Sequence, residues 1–225
     1  MSVNFGTSKK SDGQMRLLSW SEAVENRRRF FGSLGFDPTR VVATLLEQGT
    51  RINVVSTSDI GSDFKHGDGL ITNEKNLCLT VTVADCLPIF FHDESRGAIG
   101  IAHAGWKGVV KNIASVMVEK MEQEFDCDPQ SLKVSIGPHI KSCHFKIQEN
   151  ILFEFSAYQK FVSRRDGEIF VDLEKIVRGQ LLEAGVGEAN LEISKVCTAC
   201  DQEYFSYRRD NPEEVVSQVA YIWRE

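Results

Sequence analysis

The sequence predicts an α+β fold, with a mixed β-sheet flanked by helices. Helix-like and strand-like segments mix along the chain without a regular β-α-β rhythm, which favours α+β over a parallel α/β sheet. Two apolar runs, LPIFFH and GAIGIAH, are separated by the polar turn DESR and predict a β-hairpin. A chain of 225 residues with 42% hydrophobic residues suffices for one large core, so we expect residues 1–225 to form a single domain.

Apolar periodicity predicts the other elements in order. Helices are expected where apolar residues recur every three or four positions, at 21–34, 107–125, 148–157 and 172–184. Strands are expected at short apolar or alternating runs, at 41–46, 52–55, 77–83, 132–138, 191–196 and 219–223. The hairpin of residues 87–103 lies between the third of these strands and the second helix.

Composition and charge restrict the partners and the compartment. A net charge of -6 and a pI near 5.5 argue against nucleic-acid or membrane partners. No apolar run approaches the roughly 20 residues needed to span a bilayer, and the N-terminal segment lacks the apolar stretch of a signal peptide. Six cysteines are too few for a disulfide scaffold. We therefore expect a cytoplasmic protein with free thiols.

Cys86 and His103 are the first candidate catalytic residues. One lies just before the first hairpin strand and the other closes the second, so the hairpin places them near the same end. A thiolate and an imidazole are ligands for zinc or copper. The same pair also makes a nucleophile and its base. A third interpretation is a buried cysteine beside a hydrogen-bonded core histidine.

Two further segments are candidates for binding an anion. Gly105 and Gly108 in AGWKG allow a tight turn into a helix, whose N-terminus and Lys107 would attract a phosphate. Arg208 and Arg209 in FSYRRD could clamp a phosphate or carboxylate with two parallel hydrogen bonds. The alternatives are a plain strand-to-helix turn and a solvated turn.

Other histidines and cysteines leave metal binding open. HIKSCH contains His139, Cys143 and His144, but no second cluster has zinc-finger spacing, so we favour a place for His139 beside the Cys86–His103 pair. The lone Cys-x-x-Cys of CTAC, residues 197–200, has no partner pair in sequence and does not predict a zinc ribbon. In KHGDGLIT, His66 and Asp68 are further candidates, with capping of the glycine-rich turn as the alternative for Asp68.

Five motifs together resemble one protein family. GDGLIT, ADCLPI, HAGWKG, IGPHI and CT-x-x-D-x-x-x-FSYRRD, in this order and at these separations, are similar to the laccase-domain proteins, also called multicopper polyphenol oxidases or YfiH-like proteins. The resemblance runs from about residue 26 to the C-terminus. It implies an α+β cysteine-hydrolase fold, YfiH-like and shared with deamidating toxins that have a Cys-His active site.

The resemblance also implies a zinc or copper site. Its ligands in the family are the histidine of a Gln-x-His-Gly segment, the cysteine of ADC and the histidine of HAGW, of which the last two fall on Cys86 and His103. The first is replaced, because LEQGTRI has Gln48 where the family has histidine. Glutamine is a poor ligand for either metal, so His139 and His66 are the candidates for the third position.

The activity implied is metal-dependent purine nucleoside phosphorolysis. The family's substrates are adenosine, inosine and methylthioadenosine, with adenosine deamination as a companion activity and polyphenol oxidase as the older label. The expected partners are small molecules, a nucleoside and phosphate. The alternatives are a metal-free Cys-His hydrolase or amidase, including the editing of peptidoglycan precursors, and a diverged nucleoside-binding protein.

Overall fold

The computed structural model describes residues 2–16, 21–62 and 64–225. The α-helices are α1 (Ser21–Ser33), α2 (Trp106–Val110), α3 (Ile113–Phe125), α4 (Leu173–Glu183) and α5 (Tyr207–Asp210). The strands are β1 (Val3–Thr7), β2 (Val41–Leu45), β3 (Ile52–Val54), β4 (Lys65–His66), β5 (Gly69–Thr72), β6 (Cys78–Val83), β7 (Leu87–Asp93), β8 (Ala98–Ala104), β9 (Lys133–Ile136), β10 (Lys146–Ile147), β11 (Val162–Arg165), β12 (Glu168–Val171), β13 (Leu191–Ile193) and β14 (Gln218–Arg224).

Two mixed sheets form the centre of the fold. The described strands give a five-stranded sheet in the order β1-β14-β6-β2-β4 and a six-stranded sheet in the order β13-β9-β7-β8-β5-β3, with β10-β12-β11 as a smaller third sheet. The predicted hairpin is confirmed: β7 and β8 pair antiparallel, with Pro88 opposite His103. The expected mixed α+β architecture with flanking helices is therefore confirmed.

The side chains of the central hairpin alternate between two apolar layers, as the two-residue period of a strand requires. Ile89, Phe91 and Ala102 pack against α3 and α4. Phe90 and Ile101 face the opposite way, toward β6 and β14 of the five-stranded sheet. Helix α1 covers the outer face of the five-stranded sheet, and a third apolar layer lies between them. The layers run helix, sheet, sheet, helix.

Two predicted helices differ from the structure. The helix expected at 107–125 is interrupted: α2 ends at Val110, and Asn112 adopts a left-handed backbone with φ 64° before α3 begins. Asparagine tolerates this conformation, whereas periodicity continues smoothly across the break. The segment expected as a helix at 148–157 is a 3₁₀ helix, Glu149–Phe161, with non-helical backbone at Phe155 and Tyr158.

The fold places its candidate site at one end of the layer between the sheets. His103 lies on the same face of β8 as Ile99 and Ile101, which point toward the five-stranded sheet. Cys86 lies in the connection that leaves β6 of that sheet and enters β7 of the other. Within the described ranges, no helix has the length and apolar character needed to cross a membrane.

Candidate active site

Cys86 and His103 meet at the open end of the central hairpin. Glycine at position 105 makes room for both, because a Cβ there would lie 3.3 Å from Cys86 Sγ and 3.1 Å from His103 Cε1. His103 is 4% exposed, while Cys86 is half-buried and reaches a cavity. The structure therefore brings this predicted pair together.

Asp68 fixes His103 from the other side. Its Oδ1 lies 2.9 Å from His103 Nδ1, and its backbone oxygen accepts from the His103 amide at 2.7 Å. The same carboxylate accepts from the backbone amides of Glu47, Gln48 and Gly49 at 3.3, 3.1 and 2.7 Å. The carboxylate thus fixes the imidazole through Nδ1, and Nε2 lies on the Gly105 side, where Cys86 Sγ also lies. From sequence, Asp68 was a candidate site residue that was just as likely to cap the glycine-rich turn.

Opposite charges shape the titration of this buried pair. Burial works against a charged His103, but Cys86 in its thiolate form and the Asp68 carboxylate raise the pKa of His103 to about 10. Burial likewise works against a charged Asp68, but hydrogen bonds from His103 and the Gly49 amide lower the pKa of that carboxyl below its usual value. The arrangement favours a protonated His103 imidazolium beside the Asp68 carboxylate.

Asp85 connects Cys86 to the C-terminal motif. It adopts a left-handed backbone with φ 82°, a conformation that is costly for a non-glycine residue. Its carboxylate accepts from Thr198 Oγ1 at 2.6 Å and from the Arg208 amide at 2.7 Å. Its carbonyl accepts from the Ile140 amide at 2.9 Å. These contacts hold the strained turn at Asp85. They also bring the ADC motif beside the CTAC and FSYRRD motifs.

The pair opens into a cavity of ≈ 560 Å³, a size suited to a small ligand. Aromatic side chains on its wall are Phe64, Trp106, Phe145 and Tyr207. Arg16 and Arg208 also line it. The Arg208 guanidinium lies 5.5 Å from the Phe145 ring centroid and donates to the His144 carbonyl at 3.0 Å. Flat apolar faces and guanidinium groups suit a ligand with an aromatic ring and an anionic group.

Comparison with known proteins identifies the family. The model of a family described as multi-copper polyphenol oxidoreductase laccase matches residues 18–225. The chain belongs to this laccase-like family. A family member from Geobacillus stearothermophilus, named purine nucleoside phosphorylase YlmD, is 33% identical over 204 residues, which cover 84% of this chain and 74% of the relative. A purine nucleoside phosphorylase of Deinococcus radiodurans is 34% identical over 202 residues, covering 89% and 75%.

Solved structures of the laccase-like family share the fold. The crystal structure of the hypothetical protein YfiH from Bacillus licheniformis superposes with a TM-score of 0.93 at 28% identity, over 99% of this chain and 93% of that one. The structure of YlmD from Geobacillus stearothermophilus gives a TM-score of 0.88 at 30% identity, over 99% and 90%. The layered architecture described above is therefore that of YfiH and YlmD.

The structure separates the residues that were expected to bind an anion. Arg208 and Gly105 line the cavity, whereas Lys107 does not. The Nζ atom of Lys107 lies 5.6 Å from the Trp106 ring centroid. Gly108 packs against the backbone, since a Cβ there would lie 3.1 Å from the Gly49 carbonyl oxygen. The predicted long helix begins as the five-residue α2, so its N-terminus offers little dipole.

Arg209 belongs to the scaffold. Its Nη1 donates to the carbonyls of Thr198 and Asp201 at 2.8 and 3.0 Å, and its Nη2 to that of Tyr204 at 2.7 Å. Its Nε donates to Asp210 Oδ1 at 2.6 Å. The guanidinium therefore holds the CTACDQEYF turn, and a ligand clamp at Arg209 stays a prediction. Arg16, which lines the cavity, belongs to none of the motifs and was not expected at the site.

In the described part of the chain, neither candidate histidine lies with Cys86 and His103 at the third ligand position that the resemblance implies. Gln48 lines the cavity. His139 is fully buried, with Nδ1 2.8 Å from the Gly137 carbonyl oxygen and Nε2 3.3 Å from Glu174 Oε2. His66 is exposed on β4, with Nδ1 3.6 Å from Glu47 Oε1. Neither forms a ligand group with Cys86 and His103 among the described residues, so this pair would offer two of the three protein ligands that a catalytic zinc usually takes. The pair does not fit the family's three-ligand metal site.

A different group of four residues could hold a metal ion. Among residues 2–16, 21–62 and 64–225, one set of three or more His, Cys, Asp or Glu ligand atoms lies within 4.8 Å of one another: Cys143, His144, Cys197 and Cys200. A β-bridge between His139 and Cys197 brings HIKSCH beside CTAC. From sequence, each half was discounted because it had no partner at zinc-site spacing; the two halves are more than 50 residues apart along the chain.

Proposed function

We propose that the protein is a purine nucleoside phosphorylase-type enzyme, and that its reaction centre is formed by Cys86, His103 and Asp68. The observation that carries this proposal is the ordered contact from Asp68 through His103 to Cys86 at the mouth of an aromatic, arginine-lined cavity. Family members with this name, which are 33% and 34% identical to the chain, support the choice of reaction.

In phosphorolysis, a phosphate oxygen bonds to C1′ of the ribose, the bond from C1′ to the purine nitrogen breaks, and the purine accepts a proton. Arg16 and Arg208 would bind the phosphate, and the aromatic wall would stack on the base. His103 donates the proton to the departing purine and regains one from hydrogen phosphate. In its thiolate form, Cys86 stabilises the positive charge that develops on the ribose.

The metal dependence implied by the family resemblance is not built into these steps. Cys86 and His103 are good zinc or copper donors, but Gln48 stands in sequence where the resemblance implies the third ligand, and an amide is a poor ligand beside a thiolate and an imidazole. The proposed steps therefore use the chain's own groups. Deamination of adenosine remains a companion activity to be measured in the same assay.

A Cys-His hydrolase or amidase is the second candidate function. The contact of Asp68 with His103 favours it, because an oriented imidazole beside a half-exposed thiol is the arrangement of cysteine nucleophiles. The cysteine-hydrolase fold expected from the resemblance belongs to this second proposal. It requires that iodoacetamide label Cys86 rapidly at neutral pH and that this labelling abolish the hydrolysis of amide substrates.

The deciding experiment incubates the purified protein with adenosine, inosine and methylthioadenosine, with and without phosphate. Free base, ribose phosphate and inosine are separated by liquid chromatography. Phosphorolysis predicts base release that requires phosphate and yields one sugar phosphate per base. Base release without phosphate indicates hydrolysis, and thermal stabilisation by nucleosides without any product indicates binding alone. Either result overturns the proposal.

A further inference from the structure

Cys143, His144, Cys197 and Cys200 form a four-sided group outside the catalytic cavity. Cys143 Sγ lies 3.6 Å from Cys197 Sγ and 3.8 Å from Cys200 Sγ. His144 Nδ1 lies 3.2 Å from Cys143 Sγ, 3.9 Å from Cys197 Sγ and 3.4 Å from Cys200 Sγ. Each of the four side chains thus points one donor atom at a common centre.

We propose that these four residues bind one structural Zn²⁺ ion. A tetrahedral zinc site with three thiolates and one imidazole has sulfur–sulfur edges of about 3.8 Å and nitrogen–sulfur edges of about 3.5 Å, as follows from the usual zinc–ligand distances. The five distances above are close to these edges, and all four donor atoms lie within 4.8 Å of one another. They are far from a disulfide, whose sulfurs are about 2.05 Å apart.

The backbone around the group is arranged as in thiolate sites. The Lys141 amide points at Cys197 Sγ from 3.4 Å, so a metal-bound sulfur there keeps a hydrogen-bond donor. The Cys197 carbonyl accepts from the amides of Cys200 and Asp201 at 3.0 and 2.9 Å, which closes the Cys-x-x-Cys turn. The Thr198 amide donates to the His139 carbonyl at 3.1 Å and holds the two segments side by side.

Four protein ligands leave no open coordination position, so the ion is structural and takes no part in the reaction. Its position explains what it stabilises. Arg208 donates to the carbonyl of the ligand His144, and Thr198, between the two ligands of CTAC, donates to Asp85. Phe145, which follows His144, lines the cavity. The ion therefore joins the two segments that form one wall of the active site, and the inference is independent of the reaction proposed above.

Metal analysis of purified variants tests the site. The Cys86→Ser variant lacks the thiol of the Cys86–His103 pair, so that pair cannot supply a cysteine ligand. We expect this variant to retain about one zinc per chain after dialysis against a mild chelator. Adding Cys143→Ser and Cys200→Ser to it should lower zinc at least about tenfold. Cys200→His keeps a donor and should retain zinc, and Cys127→Ser, a buried cysteine outside the group, should behave as wild type.

A second measurement uses the wild-type chain and does not depend on variant folding. A strong chelator should release the zinc and at the same time make the thiols of Cys143, Cys197 and Cys200 reactive toward an aromatic disulfide reagent, as mapped by mass spectrometry. A thiol reactivity that is the same before and after chelation overturns the proposal. So does full zinc content in the variant without Cys143 and Cys200, or a Cys86→Ser protein without zinc.

Discussion

Nδ1 of His103 lies 2.9 Å from Oδ1 of Asp68, and the same carboxylate accepts the backbone amides of Gln48 and Gly49. One buried side chain therefore links the hairpin that positions Cys86 and His103 to the loop that presents Gln48 to the cavity. Because Asp68 is fully buried, these hydrogen bonds are shielded from water and depend on its charge.

The first prediction concerns Asp68→Asn. Asparagine has one acceptor oxygen, so it cannot accept from both His103 and the backbone amides of Glu47–Gly49. Its NH₂ group would also point donor hydrogens at groups that are themselves donors. We expect the turnover of nucleoside to fall at least about tenfold and the free energy of unfolding to fall by about 1–3 kcal/mol. Steady-state kinetics and urea unfolding measure the two effects.

Asp93→Asn is the matched control. Asp93 is also a buried carboxylate, and it accepts from Ser95 and Arg96 at the far end of the same hairpin. This variant should lose stability while its turnover stays near wild type. Equal losses of turnover in the two variants would mean that Asp68 acts only on stability.

The second prediction restores the family's third ligand with Gln48→His. Gln48 lines the cavity with Cys86 and His103, so an imidazole at this position adds a third donor beside the pair. We expect the variant to bind about one zinc more per chain than wild type, measured by elemental analysis. Gln48→Asn, which adds no imidazole, should show the wild-type zinc content. No gain in the histidine variant would mean that position 48 does not face the pair.

The third prediction separates the two neighbouring arginines. Arg208→Ala should raise the KM for phosphate, because the side chain lines the cavity. Arg209→Lys should lower the free energy of unfolding by about 2–3 kcal/mol, because lysine cannot reproduce the hydrogen bonds to Thr198, Asp201 and Tyr204. Its KM should stay near wild type. The opposite pattern would place the phosphate at Arg209.

The fourth prediction is that Thr198→Val weakens the turn that holds Cys86. Valine keeps the shape of threonine but removes the hydroxyl that donates to Asp85 at 2.6 Å. Because the carboxylate is buried, its lost partner should cost about 1–3 kcal/mol of unfolding free energy, measured by urea denaturation. Thr198→Ser, which keeps the donor, should recover most of that loss. A serine variant as unstable as the valine variant would assign the effect to the methyl group.

Local patterns were enough to predict the parts of the fold that depend on near neighbours. The hairpin of β7 and β8 was predicted because its two apolar runs and turn are adjacent in sequence. The pairing of β1 with β14, which joins residues 3–7 to residues 220–224, was not predicted, because no local pattern encodes a contact between distant segments. The break at Asn112 was missed because apolar periodicity persists through it.

The same distinction applies to the candidate sites. Cys86 and His103 were paired from sequence because the hairpin joins them, whereas Asp68 reaches His103 through the separate pairing of β5 with β8. The cluster of Cys143, His144, Cys197 and Cys200 is formed by a bridge between distant segments. Sequence spacing alone therefore missed both the contact of Asp68 with His103 and the four-residue group that could hold a metal ion.

The most direct test of the central proposal is the rate of adenine release from adenosine in the presence of phosphate, measured for wild type and Cys86→Ser. The proposal predicts phosphate-dependent release by wild type, with one ribose phosphate per adenine, and a rate at least about 100-fold lower in the variant. A variant that folds normally and releases adenine at the wild-type rate would contradict it.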